Sequence, residues 1–234
     1  MIEMVRRFLR QRFGSPAMAT ALGVLALMTA AQAATDPEGA LSTGFIALAL
    51  IGAGVVSRDA SSGALQMILA RPIKRSAYLF GRYAGIIATF GVFQLVAAAL
   101  ALVIRLLVRG SLEPAVPEIA RGIAAGLANA LLLAAILLFF STFLPGYADI
   151  LAMLMGLGAL ALFPGIAAQL RLPTAARFGE QLRENILPRV DWSEVLRGRH
   201  TLGEPTGQFV LAVVVFLTLA ALVFSRREFS YGRD

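Results

Sequence analysis

Apolar residues fall along this chain in long blocks, and six blocks reach or approach the roughly 20 residues a helix needs to cross a hydrocarbon core. They run approximately from Ser15 to Ala34, Ala40 to Ser57, Ser76 to Leu107, Glu118 to Phe143, Ala148 to Gln169 and Gln208 to Phe224; the second and last are a little short. Pro164-Gly165 interrupts the fifth block near its far end, where a kink or a re-entrant turn is expected if protein shields the freed backbone. Other stretches show helical spacing at lesser length. Met1 to Phe13 sets Ile2, Met4, Val5, Phe8, Leu9 and Phe13 on one side of a helical wheel and Glu3, Arg6, Arg7 and Arg10 on the other, as in a helix lying flat in the headgroup layer. A basic start, an apolar run and then A-A-Q-A-A also have the order of a secretory signal peptide. Between the last two blocks, Phe178, Leu182 and Ile186 predict a helix over Thr174 to Leu187, and Asp191-Trp192-Ser193-Glu194 reads as the capped start of a shorter one. Those helices form either a lid over one mouth of the bundle or a plain connection.

Composition turns the blocks into spans. Of 234 residues 58% are hydrophobic and only 15% charged, with a mean hydropathy of +0.77, which places the chain among all-α integral membrane proteins. The net charge of +7 raises the question of nucleic acid, but the basic residues sit at span ends and line no aromatic-studded groove, so no nucleic-acid partner is expected. Lys74 is the only lysine and follows Pro72-Ile73, so the chain has no phosphate-binding G-x-x-x-x-G-K-[ST] loop. No cysteine is available for disulfides or thiolate metal sites. Six spans put both termini on one side. That side holds 12 of the 21 basic residues and 5 of the 14 acids, a net +7 against zero opposite, which predicts cytoplasmic termini and membrane lipids as the surround. The 6 arginines between Arg171 and Thr206 run against this rule, although five acids accompany them.

Polar residues inside the spans are few. Gln94 in the third and Asn129 in the fourth either hydrogen-bond between helices or line a substrate path. Gly81-x-x-x-Gly85 and Gly122-x-x-x-Gly126 begin the same spans at a spacing that permits close helix contact. No acid lies near the middle of a span, and His200, the single histidine, falls in the segment before the sixth. The ionisable groups that intramembrane metalloproteases, proton-driven antiporters and di-metal lipid enzymes require at depth are therefore missing, and self-contained catalysis is not expected.

The charged stretch Arg58 to Tyr83 lies outside the bilayer. Arg58, Asp59, Arg71, Lys74, Arg75 and Arg82 carry too much charge for its interior. Ser61 and Ser62 supply caps, Leu65, Ile68 and Leu69 share one helical face, and Pro72 ends the turn by restricting Arg71. A short amphipathic helix with an apolar ridge suits docking; a basic loop that merely orients its flanking spans has the same composition.

An acid followed by small-G-x-L-x-x-x-L-x-R-P-hydrophobic-x-R, read at Asp59, Gly63, Leu65, Leu69, Arg71, Pro72, Ile73 and Arg75, resembles the coupling segment of type 2 ATP-binding-cassette permeases. F-F-S-T-F-L-P-G-Y-A-D at the end of the fourth block, with Ser141 before a short turn, and the terminal F-S-R-R-E-F are similar to the same family. Only Arg171 to Thr206 departs from it. The resemblance implies one permease domain over residues 1–234, with an elbow helix at 1–14, a coupling segment at 58–75 and an external or re-entrant segment at 170–207. It implies a multi-pass protein of the cytoplasmic membrane, an exporter subunit paired with a second permease chain and with separate ATPase subunits. ATP and magnesium would be bound by the ATPase and no cofactor by this chain. Leu65, Ile68 and Leu69 would then dock into the ATPase, Asp59 and Arg71 would supply polar contacts, and Pro72 would fix the turn toward Arg75 and the third span. Lipids, drugs, peptides and saccharides all remain open as cargo. A different class, an uncoupled assembly factor, immunity protein or small channel, would carry the same spans without an ATPase.

Overall fold

The computed structural model describes residues 6, 8–10, 13–42, 44–61, 65, 74–111, 115–144, 148–188, 190–198 and 203–226. All regular structure among them is helical: α1 (Pro16–Ala33), α2 (Pro37–Ser42), α3 (Phe45–Gly52), α4 (Ser57–Ser61), α5 (Arg75–Arg109), α6 (Ala115–Ser141), α7 (Ala148–Gln169), α8 (Pro173–Ile186), α9 (Trp192–Leu196) and α10 (Glu204–Arg226). Six stretches are long and apolar enough to cross a membrane: 16–33, 37–59, 75–108, 116–141, 148–169 and 205–226. They match the six apolar blocks, and the chain is an all-α multi-span membrane protein.

Helix α6 is the hub. It touches α2, α3, α5, α7, α9 and α10, because its small and aliphatic side chains let neighbours approach on several sides; Ala130, Ala134, Ala135, Ile136, Leu137 and Leu138 are all buried. Helix α5 has 35 residues, about 52 Å of helix, and projects past a 30 Å core. Its uncharged stretch from Tyr83 to Ile104 accounts for about 33 Å of that, and Gly110, at φ 66, closes it in the left-handed conformation glycine adopts without strain. One core joins Phe8, α1, α2, α3, Leu65, α5, α6 and Phe224; a smaller one joins Ala49, Leu132, Ile136, Leu137, Met153, Phe209 and Ala212.

Pro164 does not break the fifth span. Helix α7 runs through it, and the chain reverses at 170–172, where Arg171 takes φ 57. Helix α8 then folds back along α7, and Gly179 faces Phe163 and Pro164 so closely that an added Cβ would lie 2.5 Å from the Phe163 ring. Pro164 is buried, and its ring lies against Gly179 of α8. The short helix α9 begins as its sequence predicts, with Asp191 Oδ1 accepting from the Glu194 N–H at 3.2 Å, and Trp192 meets Phe209 edge-on.

The second span is discontinuous. Gly44, before α3, takes φ −36, ψ 30, and an irregular turn at 53–56 separates α3 from α4. Gly54 takes φ 60 in that turn, a conformation other side chains resist. Irregular backbone at membrane depth survives only inside protein. This span is the most enclosed, 65% buried against 17–22% for the first, fifth and sixth.

Candidate functional site

The chain's charged segment enters the bundle at a packed joint. Helix α4 presents Asp59, 3% exposed, to the first turns of α5. The Tyr78 hydroxyl donates to Asp59 Oδ2 at 2.6 Å, and Arg82, one turn further along α5, pairs with the same oxygen. Tyr78 and Arg82 share a helix face because they are four residues apart, and the Arg82 Nε reaches the Tyr78 oxygen at 3.4 Å. The guanidinium lies 5.6 Å from the ring centroid of Phe8 and 5.4 Å from that of Tyr78, so two aromatic faces replace part of its hydration. Phe8 is buried against Gly85, where a Cβ would stand 3.0 Å from its ring. The second glycine of Gly81-x-x-x-Gly85 thus makes room for an aromatic ring. From the end of the chain, Phe224 stacks on Tyr78 at 5.6 Å, and Arg75 Nη1 donates to the Ser225 carbonyl at 2.9 Å.

This joint gathers Phe8, Asp59 at the end of the second span, the start of α5 and the end of α10. Asp59 and Arg75 both belong to it, while Leu65 lies 1% exposed in the chain's own core. Gly63, Ile68, Leu69, Arg71 and Pro72 fall outside the described residues. Tyr78, Arg82 and Phe224 were not singled out as site residues; the signal for them was slight, a tyrosine and an arginine four apart at the mouth of a span.

A second pair of joints holds the breaks in the second span. At the deeper one, Gln94 Nε2 donates to Leu41 O at 2.7 Å and Asn129 Nδ2 to Ser42 O at 3.2 Å. Gln94 stands twelve residues past Arg82 and eleven before Arg105, about 18 and 16 Å along α5, so the break lies near the middle of the span. The two amides satisfy carbonyls that α2 leaves open at its C-terminal end. At the shallower break Gly54 N–H donates to Asp149 Oδ2 at 2.7 Å and Val56 N–H to Ser141 Oγ at 3.0 Å. Asp149 is fully buried at the start of α7, and its other oxygen accepts the Ile150 N–H at 2.8 Å. Ser141, noted for the sequence around it, thus serves as a hydrogen-bond acceptor for the broken span.

Glycines Gly122 and Gly126 make the track on which α2 rests. A Cβ on Gly122 would lie 2.9 Å from Pro37 O, and one on Gly126 would lie 2.3 Å from Leu41 O, so neither site admits a side chain unless α2 moves. On the face opposite the termini, Glu38 Oε2 meets Arg197 Nη2 at 2.6 Å and Arg121 Nε at 3.5 Å. The hydrogen bond to Glu38 and its charge hold the Arg197 guanidinium above its ordinary pKa. Among the described residues no cluster of His, Cys, Asp or Glu has a metal-holding arrangement.

No protein-family model matches this chain, and no curated protein sequence matches it. Its sequence and geometry carry the assignment as far as a helical membrane protein with six candidate spans.

Proposed function

We propose that this chain is the permease subunit of an ATP-binding-cassette exporter, in which a separate ATPase drives substrate across the membrane. The observation that carries this reading is the joint at Asp59. A docking segment transmits force only if its root is rigidly tied to the spans, and here Asp59, Tyr78 and Arg82 tie it to α5 while Phe8 and Phe224 brace the same point. In this reading the termini and the 58–75 segment are cytoplasmic in the cell membrane. Ile68 and Leu69 meet the ATPase, and Leu65 anchors the segment's near end. ATP and magnesium belong to the ATPase, this chain has no catalytic role of its own, and two permease chains face one another across the transport path.

The test is a search for a neighbouring gene encoding a soluble chain with a phosphate-binding loop and a signature motif, followed by copurification and ATP hydrolysis with its product. Ile68→Asp with Leu69→Asp should abolish both association and permease-stimulated hydrolysis while the protein stays inserted. Unchanged association by that double variant removes the proposal. One observation favours the rival, an uncoupled membrane protein: Leu65 is turned into its own bundle. A protein that purifies alone, with no ATPase bound at any nucleotide state, would decide for that rival.

A further inference from the structure

We propose that Arg105 holds the phosphate of a phospholipid headgroup in the leaflet opposite the termini. The inference needs only the multi-span fold and does not rest on coupling to an ATPase. Arg82 and Arg105 bracket the uncharged stretch of α5, and the bundle provides for them very differently. Arg82 has Asp59, the Tyr78 oxygen and two ring faces. Arg105 is 6% exposed, and its Nε is enclosed with no hydrogen-bond acceptor among the described residues. The ion pairs among those residues run through Arg82, Arg121, Arg183 and Arg197, and none includes Arg105. A guanidinium cannot shed its proton to escape burial, as a lysine can. A lone buried charge is costly enough that a counter-charge from outside the chain is the expected remedy.

Position says where that counter-charge comes from. Gln94, Ala97, Ala98, Ala101 and Arg105 succeed one another at helical spacing and are all buried, so Arg105 belongs to the face of α5 turned into the bundle. The chain's acids at this end are engaged elsewhere: Glu38 with Arg197 and Arg121, Glu194 with Arg197, and Asp36 Oδ1 with the Gly39 N–H at 3.0 Å. Arg105 stands about 16 Å along α5 from Gln94, close to half the thickness of a 30 Å core, which is the depth where hydrocarbon gives way to headgroups. Just beyond it Leu106, Leu107 and Val108 are 51%, 80% and 76% exposed, so the helix surface stays apolar past Arg105 and lipid rather than water surrounds this level. The anion abundant at that depth is the lipid phosphodiester, whose oxygens match the two-pronged geometry of a guanidinium. Basic side chains between spans take headgroups in this way.

The test uses the full-length protein in an uncharged detergent, stripped of phospholipid, with melting followed by helical circular dichroism and bound lipid counted by native mass spectrometry. Dioleoyl phosphatidylglycerol should raise the melting temperature of the parent and leave it with one more bound lipid than Arg105→Met. The apparent affinity of that variant should be lower by roughly tenfold or more, the factor for losing a charged hydrogen-bonding partner. Without lipid, Arg105→Met should melt no lower than the parent, because it removes an unmet charge. Arg105→Lys keeps the charge without the fork and should fall between the two. Arg10→Gln, exposed at the other end of the bundle, should retain the full gain, and dioleoylglycerol, which has the tails but no phosphate, should give none. Equal stabilisation of the parent and Arg105→Met by phosphatidylglycerol overturns the site, as does loss of the gain in Arg10→Gln. Equal stabilisation by inorganic phosphate overturns the lipid as its occupant. Lower melting of Arg105→Met in the absence of lipid, matched by Glu113→Gln outside the described residues, would mean that the chain supplies its own counter-ion and would also overturn the proposal.

Discussion

Removing Asp59 is the sharpest test of the joint at the root of the charged segment. Its side chain is 5% exposed and that of Arg82 11%, so the pair sits in the regime where breaking one partner leaves a charge stranded, at a cost of about 3–5 kcal/mol. Arg82 keeps the Tyr78 oxygen and the ring faces of Phe8 and Tyr78, each ring contact worth about 0.5–2 kcal/mol, so Asp59→Ala belongs at the low end, about 3 kcal/mol. Taking out both charges tells the mechanism apart from lost packing. Asp59→Leu with Arg82→Met fills similar volume and strands no charge, leaving only the Tyr78 hydroxyl without these partners at about 1–3 kcal/mol, so the double variant should be no less stable than either single one. The coupling energy between the sites should then be about 2 kcal/mol or more. Reversible unfolding in mixed micelles, followed by helical circular dichroism, reads all four corners of the cycle. Single variants that each cost less than about 1 kcal/mol, and add without coupling, would mean a surface pair and refute the buried joint.

Three further outcomes follow from the same contacts. Gly126→Ala drives a Cβ to 2.3 Å from Leu41 O and should cost about 1–3 kcal/mol. Gly91→Ala meets nothing nearer than Leu127 at 3.7 Å and should be neutral or stabilising by up to about 1 kcal/mol; equal melting shifts for the pair would contradict the track beneath α2. Asp149→Ala and Ser141→Ala each leave a buried N–H without its acceptor, at about 1–3 kcal/mol, and hydrogen exchange should quicken at Gly54 and Val56 respectively. Gly54→Ala forces a Cβ into φ 60 and should cost about 1–2 kcal/mol, read by the same unfolding assay.

The six spans were legible because a run of apolar residues is a local property, and each run sets its helix without reference to the others. The same holds for α8, whose Phe178, Leu182 and Ile186 repeat, and for the Asp191 cap of α9. Gly122 and Gly126 announced a close contact but not its partner, since the spacing describes one surface only. What sequence did not reveal depends on pairing. Asp59 meets residues 19 and 23 positions away, Asp149 caps a turn 95 positions earlier, and nothing local marks either relation. Pro164 shows the complementary case: the proline pointed to a kink or a re-entrant turn, and the helix runs through it beside α8, a neighbour that nothing local to the fifth span marks.

The broken second span explains why so few polar residues inside this bundle are enough to order it. A continuous helix would need no partner for its backbone at depth, but each break exposes carbonyls or N–H groups that must be met by side chains. Here they are met from α5 by Gln94, from α6 by Asn129 and Ser141, and from α7 by Asp149. Each hydrogen bond therefore fixes the depth of one span against the second, a specification that aliphatic packing between apolar helices leaves loose because lipid is as good a neighbour as leucine. Shifting the second span as a whole by one residue would strand four backbone groups at once. The second span is accordingly the reference against which the third, fourth and fifth are set. A displacement of α4 at Asp59 reaches α5 through Tyr78 and Arg82 and reaches α7 through the Gly54–Asp149 contact, with no further element between.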